Sequence, residues 1–182
     1  MEPSFHGLKA LRAQRQWSLD KASQKTGVSK AMLGQIERGE SSPTLNTLWK
    51  IAQGFELSFS QLMANLMPDQ GIGDSQPFAP HASGLAVKAL IPYDPQMKAE
   101  LLELTLSPGC LRESAPHEAG VREHIILLQG KLSIQANGQW QALAAGQVFE
   151  FMADQPHAYR NDDAEAAALF HNLIFYPQGR IS

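Results

Sequence analysis

The sequence predicts a multidomain chain of the α + β class, five short helices followed by a small closed antiparallel β domain, and three observations carry that prediction. Apolar residues recur at helical spacing before residue 67 and alternate strictly after residue 84. Between them, residues 68–84, "PDQGIGDSQPFAPHASG", hold Gly, Pro, Ser and Asp with no hydrophobic period, so they read as a linker. Charge divides at the same place. Residues 1–70 carry eight Lys/Arg against six Asp/Glu, whereas residues 71–182 carry seven against twelve. Histidine follows the division, with His6 before the linker and His81, His117, His124, His157 and His171 within or after it. The expected domains are therefore 1–67, 68–84 as linker, and 85–182.

Composition removes several classes. A hydrophobic content of 43% over 182 residues supports real cores. One cysteine, Cys110, cannot make an internal disulfide or a zinc ribbon. The N-terminal "MEPSFHGLKALRAQRQ" is amphipathic and lacks the apolar stretch of a secretion signal, and no run approaches the ~20 apolar residues of a membrane helix. The expectation is a cytoplasmic protein with no membrane partner.

The first helix, about residues 4–15, places Phe5, Leu8 and Leu11 on one face. Ser18 can cap the second, although Lys21 stands where a capping box prefers Glu, and Gly27 ends it. Ser29 caps the third, "KAMLGQIERG", which Gly39 stops. Glu37 and Arg38 read as a pair that steadies its end. The fourth enters through "SSPT" and runs "LNTLWKIAQGF", and the fifth starts near Ser58 with "FSQLMANL". Val28, Leu33, Ile36, Leu45, Leu48 and Ile51 read as core. A tight Gly-containing turn between the second and third helices matches a helix-turn-helix.

"WSLDKASQKTGVSKAMLGQIERGESSPTLNTLWKIAQGF" resembles the DNA-binding domain of the XRE family of phage-repressor-like regulators. The resemblance implies a five-helix, lambda-repressor-like fold over nearly all of residues 7–66, with the helix from Lys30 entering the major groove of double-stranded operator DNA. Lys30, Ala31 and Gln35 would lie near base edges, lysine suited to guanine, glutamine to adenine and Ala31 to a methyl contact. Ser18, Ser29, Ser41, Ser42 and Thr44 lie at helix starts, where hydroxyls and free N–H groups favour phosphate oxygens. The sequence departs from the family pattern at Leu19, where a glutamine is usual. A domain of this size makes few phosphate contacts, so a homodimer on two half-sites is expected.

After the linker, "GLAVKALIP", "AELLELTLS", "EHIILLQGKLSIQANGQWQALAAGQVFEFMA" and "AAALFHNLIFYP" are short apolar runs separated by Gly, Asn-Gly or Pro, the signature of an antiparallel sandwich or barrel. Asn137-Gly138 is a two-residue hairpin turn. These residues resemble the cupin superfamily, a double-stranded β-helix or jelly-roll barrel. Its first motif falls on Gly109, His117, Ala119, Glu123 and Gly130, and its second on Gly146, His157 and Asn161. Ala119 replaces the second histidine, the gap from Gly109 to His117 is longer than usual, and Met152 and Asp154 replace a proline and a glycine.

What remains of the ligand set is His117, Glu123 and His157. Two imidazoles and a carboxylate suit a divalent metal, zinc first, with iron, nickel or manganese also compatible, and they leave coordination positions open. Alternation puts Glu123 on one face with Ile125 and Leu127 and sends His124 to the other; a one-residue slip would exchange them. His171 shares a face with Leu169, Leu173 and Phe175 and is expected to point into the barrel. Arg112, His124, Tyr159 and His171 are the expected effector-pocket residues.

An XRE domain joined to one cupin domain resembles bacterial regulators in which the barrel senses a metabolite. "VSKAMLGQIER", "PYDPQ", "PHE" with "EH", and "YRN" extend that resemblance to regulators of sulfur utilisation in enteric bacteria. It implies a small-molecule effector, such as a sulfur-containing amino acid, and no catalysis. The rival class is a metal-dependent cupin dioxygenase or isomerase fused to a DNA-binding domain, because two histidines and a carboxylate also serve non-haem iron oxygenases. A third reading is an antitoxin or interaction module whose DNA binding ignores small molecules.

Overall fold

The computed structural model describes Phe5, residues 7–67, Phe78 and residues 84–177. Apart from Phe78 and Gly84, the expected linker lies outside the described residues, as do His6 and His81. The chain divides into two compact units.

The first holds α1 (Gly7–Gln14), α2 (Leu19–Thr26), α3 (Lys30–Glu37), α4 (Leu45–Gly54) and α5 (Phe59–Leu66). Ser18, Ser29, Thr44 and Ser58 cap α2 to α5, each side-chain oxygen accepting a backbone N–H three residues on. Only Ser58 has the reciprocal Gln61 contact that completes a capping box. At α2, Lys21 carries no acceptor to return to the Ser18 amide. Gly27, at φ 66°, turns the chain from α2 into α3. Phe5, Leu8, Leu11, Val28, Leu33, Ile36, Leu45, Leu48 and Ile51 are all buried. Each large apolar side chain so buried contributes ~1.5–3 kcal/mol against exposure.

Glu37 does not pair with Arg38 as the sequence suggests. Arg12 on α1 reaches across and donates Nε and Nη2 to both Glu37 oxygens at 2.6 and 2.9 Å, and its Nη1 to the Trp17 carbonyl at 2.7 Å. Arg38 turns instead to Glu40. A residue 25 positions away outcompetes the neighbour because α1 and α3 pack together and Glu37 is nearly buried, where an unpaired carboxylate would be costly.

The second unit holds β1 (Leu85–Asp94), β2 (Ala99–Leu106), β3 (Leu111–Ser114), β4 (Arg122–Gln129), β5 (Leu132–Ala136), β6 (Gln139–Leu143), β7 (Val148–Met152), β8 (His157–Asn161) and β9 (Ala168–Phe175). They form two antiparallel sheets, ordered β1-β2-β9-β4-β7 and β3-β8-β5-β6, the two layers of a β-sandwich. Asn137 and Gly138, at φ 52° and 75°, make the tight turn between β5 and β6. Gly130 closes the first motif at φ 88°, and a Cβ there would stand 2.6 Å from the Ala167 carbonyl oxygen. Strands β3 and β8 are absent from the sequence expectation. "LRES" and "HAYRN" are too polar to read as strands, yet β8 is buried at His157, Ala158, Tyr159 and Asn161.

Among the described residues no helix is long and apolar enough to cross a membrane.

Replacing Glu37 by Gln leaves the Arg12 guanidinium without its carboxylate and is expected to destabilise the helical unit by about 1–3 kcal/mol in urea unfolding followed by helical circular dichroism. The double change Arg12→Met with Glu37→Leu, which removes both charges, should recover most of that loss.

Candidate functional site

Three elements bring the cupin-motif side chains together. His117 lies in the loop before β4, held by its own amide donating to the Ala153 carbonyl at 2.9 Å. Glu123 comes from β4 and His157 from the first position of β8. His117 Nε2 stands 2.9 Å from Glu123 Oε1 and His157 Nε2 stands 3.8 Å from the same oxygen. Donor atoms of all three lie within 4.8 Å of one another.

Burial of β4 alternates with Glu123, Ile125 and Leu127 inside, and Glu123 is 1% exposed. Its other oxygen, Oε2, accepts from the Tyr159 hydroxyl and, at 2.8 Å, from Asn172 Nδ2. Those two donors occupy Oε2 and leave Oε1 turned toward the imidazoles. Burial alone would raise the Glu123 carboxyl, but the hydrogen bond and charge of His117, the charge of His157 and the Tyr159 hydroxyl together bring it down to about 2. Burial holds His157 below the ordinary imidazole value, although the Glu123 charge pulls the other way. Burial and the Glu123 charge push the Tyr159 hydroxyl well up, so it remains a donor.

His157 Nδ1 lies 2.9 Å from the Gln155 carbonyl, which can only accept, so Nδ1 carries the proton. Nε2 then presents a lone pair to the site, and this buried atom has no hydrogen-bond partner. A carboxylate oxygen and an oriented, unprotonated imidazole nitrogen within coordination reach fit a divalent metal ion, with Gln155, Tyr159 and Asn172 supplying the outer hydrogen bonds such ligands need. Such an ion would bind a ligand's oxygen, nitrogen or sulfur at an open position. At the position of the missing fourth ligand, Ala119 is exposed.

The remaining expected pocket residues separate. Tyr159 touches Glu123. Arg112 stands opposite Tyr159 in the β3–β8 register, half-buried, with its Nε buried and unpartnered. His124 and His171 are corrections, because both lie on the outer face of the five-stranded sheet. His124 packs against the Phe175 ring, 5.2 Å between centroids, with Nε2 3.8 Å from Glu150. His171 lies 3.7 Å from Glu103. The face shared by Leu169, His171, Leu173 and Phe175 is the half-exposed one, and Ala168, Phe170, Asn172 and Ile174 point inward. Apolar side chains occupy both faces of β9, so hydrophobicity could not distinguish inside from outside. Asn172, a polar residue among inward positions, is the functional neighbour that sequence reasoning missed.

In the helical unit, Lys30, Ala31 and Gln35 are exposed on α3 as expected, and so is Arg38. Lys30 Nζ is paired with Asp20 at 2.8 Å. Ser18, Ser29 and Thr44 accept their capping N–H; Ser18 and Ser29 keep their own hydroxyl protons for other acceptors, while the Thr44 hydroxyl is hydrogen-bonded to that of Thr47 at 2.9 Å. Ser41 donates to the Met32 sulfur at 3.8 Å, and Ser42 is exposed.

A helix-turn-helix family profile matches residues 8–62 and a cupin-domain profile matches residues 102–174. The HTH-type transcriptional regulator SutR of Escherichia coli K12 is 46% identical over 171 residues, 94% of this chain and 93% of that protein. The crystal structure of an HTH_3 family transcriptional regulator from Vibrio cholerae aligns with a TM-score of 0.86 and 42% identity, covering 97% of both chains. The Cupin_2 domain of an XRE family transcriptional regulator from Enterobacter cloacae covers 53% of this chain and all of that domain, with a TM-score of 0.51 and 42% identity.

Tyr159→Phe removes one donor from a fully buried carboxylate and is expected to lower the stability of the metal-free protein at pH 7 by about 1–3 kcal/mol. Because the folded Glu123 carboxyl lies below its ordinary 4.5, its contribution is full above pH 4.5 and is lost as pH falls toward about 2. Raising it in the variant should flatten the stability–pH slope in that window relative to wild type, as read from urea midpoints across the range.

Proposed function

We propose, from the premise that the chain belongs to the helix-turn-helix transcriptional regulators that carry a C-terminal cupin domain, that its DNA affinity is set by a small metabolite bound beside a divalent metal in the barrel. The observation that carries this reading is the convergence of His117, Glu123 and His157, with an unpartnered His157 Nε2, and an unpartnered Arg112 Nε on the residue that faces Tyr159 in the β3–β8 register. The three side chains hold the ion, zinc first among the candidates, Arg112 donates to a carboxylate of the effector, and the Tyr159 oxygen, whose proton goes to Glu123, accepts from its amine. A sulfur-containing amino acid is the first effector to test, following the resemblance to sulfur-utilisation regulators.

DNA is read by α3. Lys30 and Gln35 address base edges and Ala31 a methyl group, while Ser18, Ser29, Ser41, Ser42 and Thr44 position the protein on phosphates. The chain acts as a cytoplasmic homodimer on two half-sites. The outer face of the five-stranded sheet suits the second copy, because Ile91, Val148 and Met152 are 51%, 55% and 42% exposed there, where an antiparallel sheet normally turns polar side chains to water. Glu103 and Glu150 on that face already have basic neighbours in their own chain, so the face can meet its copy without like-charge repulsion.

Elemental analysis of protein purified without chelator should find about one divalent ion per chain. His157→Ala and Glu123→Gln should each weaken binding by at least the ~10–100-fold that loss of an outer partner costs. In footprinting, the effector should shift operator affinity by ~5–150-fold in the metal-loaded protein. No shift with any candidate amino acid would sink the sensing proposal.

Val148→Glu with Met152→Glu is expected to convert a dimer to a monomer in sedimentation experiments. A dimer that persists would exclude this face.

A further inference from the structure

Charge is distributed unevenly over the helical unit. Among the described residues it makes three ion pairs, and one of them, Arg12 with Glu37, is internal. The other two stand at the two ends of α3. Lys30, its first residue, has Nζ 2.8 Å from Asp20 of α2, and Arg38, just past its last, donates Nε and Nη2 to the two Glu40 oxygens, both at 2.7 Å. By contrast Lys9, Lys21 and Lys25, on α1 and α2, are exposed and make no ion pair among the described residues. Cations are covered at α3 and left bare elsewhere.

All four side chains of the two outer pairs are more than half exposed, and pairs of that kind add little stability. Their effect falls on what approaches α3. Any stretch of duplex presents the same two lines of phosphates, and each cation that settles on one adds about 0.9 to the slope of log affinity against log salt. A cation already held by a carboxylate must leave it first, and the carboxylate left behind repels the same phosphates. Where α3 is seated in register, an acceptor fixed at close range replaces the carboxylate; on other sequences none stands at that place. Discrimination then comes from weakening the wrong complex rather than from tightening the right one.

We infer that Asp20 and Glu40 are specificity-determining residues, which withhold Lys30 and Arg38 from the phosphates of arbitrary DNA and yield them to the operator. The inference rests on the reading of α3 as the major-groove helix, and it concerns two carboxylates that this reading leaves without a role.

The test uses the full chain, a duplex selected from a random pool and a scrambled duplex of the same length and composition, each titrated between 50 and 200 mM salt. Asp20→Asn and Glu40→Gln should each steepen the slope for the scrambled duplex by about 0.9, so that it loses about threefold more affinity over that range than with wild type. The slope for the selected duplex should stay at the wild-type value, and the ratio of selected to scrambled affinity at 50 mM should fall in both variants. Glu56→Gln removes the same charge from the turn between α4 and α5, where Glu56 is exposed and has no ion-pair partner among the described residues, and should leave both slopes unchanged. A scrambled-duplex slope unchanged in both variants would overturn the inference. Equal steepening by Glu56→Gln would overturn it too, by assigning the effect to the net charge of the unit. Steepening on the selected duplex as well would show that the cations are withheld from the operator and would also overturn it. A wild-type chain that selects no duplex would overturn the reading of α3, and the inference with it.

Discussion

The candidate site of the β unit is organised around the buried carboxylate of Glu123. Glu123 is anionic and almost wholly removed from water, a position that costs several kcal/mol unless its oxygens are met by donors and opposite charge. Those partners come from three places in the chain: the loop before β4 for His117, β8 for His157 and Tyr159, and β9 for Asn172. A one-residue slip of β4 would bury His124 and expose the carboxylate. A slip of β9 would withdraw Asn172 and replace it with Leu173 or His171. The polar cluster therefore selects the register of strands whose hydrophobic pattern leaves it open.

The same physics acts more weakly in the helical unit. Arg12 and Glu37 join α1 to α3 through two parallel hydrogen bonds, and Arg12 also holds the Trp17 carbonyl ahead of α2. α1, α3 and the segment leading into α2 are thus tied by a single guanidinium, whose planar fork suits such a contact better than an ammonium would. On the surface, Lys30 and Arg38 are each matched by a carboxylate. Such exposed pairs add little stability. They lower the bare positive charge offered to any stretch of DNA, which leaves more of the discrimination to base contacts.

Much of this was legible in the sequence where one rule acts alone. Caps at Ser18, Ser29 and Thr44, the Gly27 turn and the Asn137-Gly138 hairpin follow from backbone chemistry within a few residues, and the clean alternation of "EHIILL" orients Glu123. Legibility ended where the deciding partner lies far along the chain. "ALFHNLIF" has apolar residues on both faces, so only the contact between Asn172 and Glu123 reveals that His171 points outward. "HAYRN" and "LRES" are strands because neighbouring strands pair with them, not because of their composition. Glu37 looked like the partner of Arg38 because nothing local announces Arg12.

Charge also orders what can enter the proposed pocket. A carboxylate arriving first meets Glu123 at close range, and two like charges 4 Å apart repel by about 4 kcal/mol even at an effective dielectric of ~20. Arg112 offsets part of that. A divalent ion held by His117, Glu123 and His157 reverses the sign of the site, and Arg112 then reinforces it. On the proposed reading the site would take a cation before an anion, and effector affinity would depend on metal occupancy. An effector whose carboxylate draws on both Arg112 and the ion also has the most binding energy to lose when either moves. A ligand shifts an equilibrium only by what it loses in the disfavoured arrangement. A site that concentrates its affinity in two charged contacts gives a small molecule leverage over the DNA-binding equilibrium that the same affinity spread over apolar walls would not.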